Sequence, residues 1–532
     1  MNSETYDVLN NAWKKTTHLL LGQEIGELKD YETYLKELID RNVYRKSSTS
    51  GKEVAFSGKE YSDDAKFISF DELDFTKKFG PLNINQIKDI DSIIEAVEEQ
   101  IYYCGNLLLG NCDHIERSSN ISDGFWILDS AQFYGAKYLA YCTVGRENSY
   151  CFGTHALGGS EFLIRCSETT DVKRSFELWA SSNSADCYYV YGIDNCSNCI
   201  FSFNLKNKRN CIGNLELPKD KFDSIKKKLI AEIADDLKRK KSAPSLLDIV
   251  KKSKMTKGLE KNVQTKNDEQ FDKKIIEKEF SGTSKIIFGK PLSDIDQYEN
   301  WLNEHVHKIV KAKSAVSGKE VLWLPFGLSL VPLPENRIVT MEEAEELSKI
   351  TLSKEEAENI SMNNIQESIG NVAFFKVDMR FGQNKNLIGC TFCMDSTDCY
   401  KMSMTLRSKY CAFSMWPKDS QNCFGVDSLM NSSFCFKCYN STKLTRCFEM
   451  DNCRDCSDSL FCHNCEGLTN CMFCFNIKGK RYAIGNVEVG KEKYEEIKKM
   501  VLDELFKKLE KEKHFGLSIY NLKLEENRKE SL

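Results

Sequence analysis

All fourteen cysteines between Cys390 and Cys474 stand at positions divisible by three. The later ones keep a nine-residue rhythm, Cys438, Cys447, Cys456, Cys465 and Cys474, interleaved with Cys453, Cys462 and Cys471. Such a frame belongs to a coiling repeat. Nine extended residues would cover roughly 30 Å, so the chain must turn within each unit or climb as successive half-coils. Coils stacked about 4.8 Å apart accept only interior side chains that tolerate lying on copies of themselves. Cysteine qualifies, being small, commonly buried and only weakly polar. Asn or Asp often precedes it: Asp186, Asn195, Asn198, Asn210, Asp398, Asn422, Asn452, Asp455, Asn464 and Asn470. These types tolerate the left-handed backbone that a corner demands. The pattern predicts a β-solenoid and leaves the number of faces per coil open.

Sliding the chain against itself shows a second level of repetition. Tyr31-Glu32 matches Tyr298-Glu299, and SGKEV at 50–54 matches SGKEV at 317–321, at an offset of 267. Beyond a six-residue insertion the offset is 272, with Cys151-Phe152-Gly153 on Cys423-Phe424-Gly425 and Ile212-Gly213-Asn214 on Ile484-Gly485-Asn486. Each copy is read as helical segments (26–40 and 295–311), the SGKEV turn or strand, and more helix (84–103 and 341–367). The cysteine frame follows, then an amphipathic helix. The buried stripe of that helix is Phe222, Ile225, Leu229, Ile230, Ile233 and Leu237 in one copy, and Tyr494, Ile497, Val501, Leu502, Leu505 and Leu509 in the other.

The expected class is therefore α+β, two tandem copies, each a helical amino-terminal module followed by a cysteine-rich β-solenoid capped by its amphipathic helix. The expected boundaries are a mixed module at 1–118, solenoid at 119–215, capping helix at 216–240 and basic linker at 241–280. The second copy follows with a module at 281–380, solenoid at 381–487, and capping helix and tail at 488–532.

A net charge of -5, from 74 Lys and Arg against 79 Asp and Glu, gives no global pull toward nucleic acid or anionic membrane. No leader pattern or long apolar run stands out, so a cytoplasmic protein with reduced thiols is expected. Basic residues concentrate at 238–266, including Lys238, Arg239, Lys240, Lys241, Lys251, Lys252 and Lys254. A solvated linker explains them; an RNA or ribosome contact is the sharper alternative.

Six Cys-x-x-Cys pairs raise the question of zinc or an iron–sulfur cluster, with Cys453, Cys456, Cys462, Cys465, Cys471, Cys474 and His463 as candidate ligands. The first copy supplies a control. Its counterparts of Cys435, Cys462 and Cys465 are Leu163, Val190 and Ile193, side chains that pack but cannot bind metal. The pairs Cys151/Cys423, Cys166/Cys438 and Cys199/Cys471 persist, and these six are assigned as structural core thiols. His18, His114, His155, His305, His307 and His514 lack a convincing metal spacing and are read as ordinary surface or core histidines. Cys151 with His155 could suggest a nucleophile and base, but Asp427 replaces the histidine in the second copy and nothing orients a triad.

FSFNLKNKRNCIGN (201–214) and FCFNIKGKRYAIGN (473–486), each followed by KDKF or KEKY and a lysine-rich helix, resemble uncharacterised cysteine-rich β-solenoid repeat proteins of prokaryotes. SGKEV is similar to the Gly-Lys-Glu element of that family, with Ser47 and Ser50 where the family tends to carry cysteine. The resemblance implies a solenoid and brings no activity.

The sequence thus leads to a non-enzymatic interaction scaffold, a fused pseudo-dimer with a protein or ribonucleoprotein partner and no small-molecule substrate or cofactor. The alternatives are an RNA- or ribosome-associated factor and a zinc or iron–sulfur protein.

Overall fold

In the computed structural model, residues 3–58, 61–62, 64–255, 272–324 and 333–522 are described. Every third residue from His114 to Gly213, and again from Asn386 to Gly485, has a positive φ. Each of these turns the chain, and the residue after it enters the interior, which accounts for the cysteine frame. All ten Asn and Asp residues expected at corners adopt this conformation. The left-handed region costs a non-glycine residue roughly 1–2 kcal/mol. Aromatic residues at such positions regain contact by stacking on the residue twelve further on. Tyr150 lies 4.6 Å from Phe162 at 12°, and Phe461 lies 5.0 Å from Phe473 at 7°.

Parallel strands pair with a step of twelve, as in Lys137↔Ser149 and Cys423↔Cys435. The nine-residue rhythm is therefore not the coil. It is a diagonal: Cys453 Sγ donates to the carbonyl of Cys462 at 3.3 Å, on the next coil and one side back.

The expected class does not hold. The molecule is an α/β fold, 28% helix and 33% strand, and not the expected two-copy β-solenoid. In the first half, twelve parallel strands follow one path curved as a half-barrel. Successive strands alternate between two rows, and the ten-residue strand Lys173–Ser182 joins them. It pairs through Phe176 with Ile164 in one row and through Trp179 with Ser167 in the other. Four further strands extend this sheet to sixteen, and the second half divides into sheets of three and eleven strands.

The expected helices at 26–40 and 295–311 shrink to short turns, Leu28–Tyr31 with Glu32–Leu35 and Ile295–Tyr298 with Glu299–Leu302. Hairpins follow, Val43–Lys46 with Glu53–Phe56 and Val310–Lys313 with Glu320–Trp323. Of 84–103, Ile90–Val97 is α-helical; 341–367 breaks into Met341–Leu347, Lys354–Asn359 and Ile365–Ser368. The amphipathic helices are present as Lys219–Lys240 and Lys491–Glu512, although Ile230 and Leu502 are only partly buried. Two equivalent helices, Glu4–Leu21 and Lys274–Phe288, escaped the periodicity reading. They bring Trp13 against Phe152 at 5.3 Å and Phe280 against Phe424 at 5.4 Å. Among the described residues no helix is long and apolar enough to cross a membrane.

The amphipathic helices are not sufficient caps, because each half closes the other's ladder. Near the end of the first ladder, Leu352 N donates to Gly213 O at 3.0 Å and Asn204 Nδ2 to Phe374 O at 2.9 Å. At the second, Asn476 Nδ2 donates to Tyr102 O at 2.8 Å, and Tyr103 Oη to Ile519 O at 2.7 Å. The fit is close: a Cβ on Gly213 would stand 2.3 Å from Leu352, and one on Gly485 2.1 Å from Val97. The two main cores accordingly draw on both halves, one joining Trp13 and Ile200 to Ile360, the other joining Val54 and Ile94 to Phe448. Coil ends would otherwise expose unpaired backbone.

Candidate functional site

The exchange sets the two ladders side by side. From the first come Gln132, Val144, Ala156 and Glu168; from the second come Met404, Trp416, Ser428 and Asn440. These positions are spaced by the coil step, and all have left-handed backbone. Gln132 Nε2 approaches Asn440 Oδ1 at 3.5 Å. Together with Phe133, Leu157, Phe392 and Met430 they line a cleft of about 750 Å³. Arg146 and Lys418, equivalent at the offset of 272, lie on its walls. Burial, and then Arg146, lower the Lys418 ammonium's affinity for its proton. Burial pushes the Glu168 carboxyl up to about 8, although part of its side chain still reaches the cleft.

Beside the cleft, and sharing Gln132, Val144, Ser428 and Asn440 with it, is a cavity of about 220 Å³. Asp40 and His307 occupy equivalent places before the two hairpins, and His155 and Asp427 begin the equivalent strands His155–Gly158 and Asp427–Met430. Carboxylate and imidazole have changed places between the halves, and all four meet here. Nδ1 of His307 lies 2.7 Å from Asp427 Oδ2, which also accepts the His307 backbone N–H at 3.2 Å. Ser428 Oγ donates to the other Asp427 oxygen at 2.9 Å. His155 is 1% exposed. Burial, opposed by Asp40 and aided by His307, brings its ring down to about 4 and keeps it neutral.

His463 stands just behind. Its Nε2 accepts the Cys104 N–H at 2.9 Å and therefore carries no proton; Nδ1 lies 2.9 Å from Asp451 and donates to it. Tyr61 Oη donates to the same carboxylate at 3.0 Å. His463, with both nitrogens engaged, is a buried brace. Including His305, four of the seven histidines gather around this place.

The sequence-assigned thiols Cys151, Cys166, Cys199, Cys423, Cys438 and Cys471 all lie in the interior. Each donates to the carbonyl two residues before it, as Cys151 does to Ser149 at 3.3 Å and Cys438 to Phe436 at 3.3 Å. Burial raises the Cys151 and Cys423 thiols well above their usual range. The candidate metal ligands Cys453, Cys456, Cys462, Cys465, Cys471 and Cys474 face inward in the same way, whereas the His463 ring bonds Asp451 on the neighbouring strand and the Cys104 N–H of the first half. Among the described residues no group of three or more His, Cys, Asp or Glu is arranged to hold a metal ion.

The basic residues are divided between the ends of two helices. Lys238, Arg239 and Lys240 end the helix Lys219–Lys240, where Arg239 and Lys240 each pair with Asp236 at 2.9 Å and Lys238 binds Gln23 at 2.6 Å. Lys241 lies 3.8 Å from Asp30. Lys251 and Lys252 end the helix Leu246–Lys252, whose Leu246, Leu247, Ile249 and Val250 are buried, and Lys254 is exposed just beyond. The further lysines, Lys257, Lys261 and Lys266, lie outside the described residues.

No family model, curated protein or solved structure matches the chain. The cavity residues were missed because each histidine was weighed singly. One signal was present: at matched positions the first copy has Asp40 and His155 where the second has His307 and Asp427, a reciprocal exchange of acid and base.

Proposed function

We propose that this protein is a non-enzymatic interaction scaffold that holds an extended polypeptide segment of a partner protein in the cleft between its halves. The observation that carries the reading is the composition of the cleft walls. Apolar side chains such as Val144, Leu157, Trp416 and Met430 lie alongside the amides of Asn120, Gln132, Asn440, Asn452 and Asn464. Asn440, Asn452 and Asn464 recur at the coil step, so they are about 4.8 Å apart. Each already gives one N–H to Asp451 or Asn476, and the second N–H and the carbonyl oxygen are groups that a peptide backbone can use and a hydrocarbon chain cannot. The many reduced interior thiols suit a cytoplasmic setting. Of the seven described basic residues at 238–254, Arg239, Lys240 and Lys241 pair with Asp236 or Asp30, which gives the RNA reading somewhat less support.

Selection of displayed random peptides against the intact chain and its Trp416→Glu variant tests the reading. The wild type is expected to enrich a sequence class with alternating apolar residues, and the variant to lose at least tenfold in affinity for those peptides. No enrichment, or equal binding by the variant, contradicts it.

A further inference from the structure

We propose that the cavity beside the cleft is a binding site for a primary ammonium group. Two carboxylates, Asp40 and Asp427, line it, and there is no Lys or Arg among the described lining residues. Phe56, Tyr61, Tyr439 and Tyr520 contribute aromatic surface, which attracts cations. A second, independent observation is the Tyr439 hydroxyl. The residue is 1% exposed, lines the cavity, and its Oη has no hydrogen-bond partner among the described residues. Buried hydroxyls are ordinarily satisfied, and of the buried tyrosine hydroxyls left unpartnered among the described residues, those of Tyr34, Tyr141, Tyr189 and Tyr439, this one belongs to a residue lining the cavity. Burial, with Glu449, Glu304 and Asp427 nearby, strongly disfavours its ionisation, so the oxygen remains a neutral acceptor as well as a donor.

An ammonium has three donors and no acceptor. Tyr439 Oη can take one and the carboxylates the others, Asp427 through lone pairs beyond those already engaged by His307 and Ser428, while His155, held neutral, adds no repulsion. An anion would face Asp40 and Asp427 with only the imidazoles in its favour. The ammonium could belong to a free amine or to a lysine side chain of a polypeptide in the adjoining cleft. The inference does not require the cleft reading, since a free amine would bind even if the cleft held nothing.

Calorimetric titration of the intact protein with n-butylammonium, butyrate and n-butanol at neutral pH tests it. A second arm uses a peptide bearing lysine and its norleucine analogue. The ammonium or the lysine peptide is expected to bind with one site, and the neutral and anionic analogues at least about tenfold more weakly. Asp427→Asn is expected to weaken binding by about tenfold or more, and Tyr439→Phe by about three- to tenfold. Should Asp427→Asn fail to fold, Asp40→Asn carries the same expectation. Binding of butylammonium alone assigns a small amine as the ligand; binding confined to the lysine peptide assigns the polypeptide source. The proposal fails if no amine binds, if butyrate or butanol binds equally well, or if the folded variants keep wild-type affinity.

Discussion

At the residue scale, one choice repeated every third position does most of the building. A left-handed residue turns the chain and its successor becomes interior, so the cysteine frame and the Asn and Asp beside it announced the corners directly. What they could not announce was the partner across the gap, since His155 meets His307 only when the halves are assembled. His155 makes that assembly sensitive to acid. Its folded value near 4 lies below the ordinary imidazole value of about 6.5, so the unfolded chain binds the extra proton between these limits. Stability should fall as pH drops from about 6.5 to 4, by about 3 kcal/mol from this group alone. Denaturant midpoints of the wild type and His155→Gln, followed across that window, should converge toward low pH; parallel curves would remove His155 from the account.

At the scale of elements, glycines in the matched Cys-Phe-Gly motifs show how close packing is written into the chain. Gly153 and Gly425 both have positive φ, and a Cβ on either would stand 2.8 Å from Leu35 O or 2.7 Å from Leu302 O. Gly467 has a similar φ of +67 but nothing nearer than 3.9 Å. Both Gly425→Ala and Gly467→Ala should incur the conformational cost of roughly 1 kcal/mol. Only Gly425→Ala must also push the turn Glu299–Leu302 off the ladder, and its melting temperature should fall clearly further; equal losses would deny the close approach. The strands and amphipathic helices were legible because their signals are local. The coil length was not, because the diagonal contact from Cys453 to Cys462 imitates a nine-residue period. Helices Glu4–Leu21 and Lys274–Phe288 were overlooked because their Trp13 and Phe280 anchors take their meaning from the ladder beneath.

At the scale of the whole molecule, duplication was plain in the sequence and exchange was not. An offset between copies says which residues correspond, not which copy covers which ladder. That depends on surfaces as specific as Gly213 against Leu352 and Gly485 against Val97. The same exchange creates the cleft and the cavity, so the α/β assembly and the proposed binding surface stand together. Dividing the chain between Met255 and Asp272 tests this most directly. Separately produced halves are expected to be aggregation-prone or partly unfolded, because each lacks the cover for its ladder end. Produced together, they should purify as a 1:1 complex that melts in one transition. Two halves that fold independently, remain monomeric and show no affinity for each other would contradict the interlocked fold.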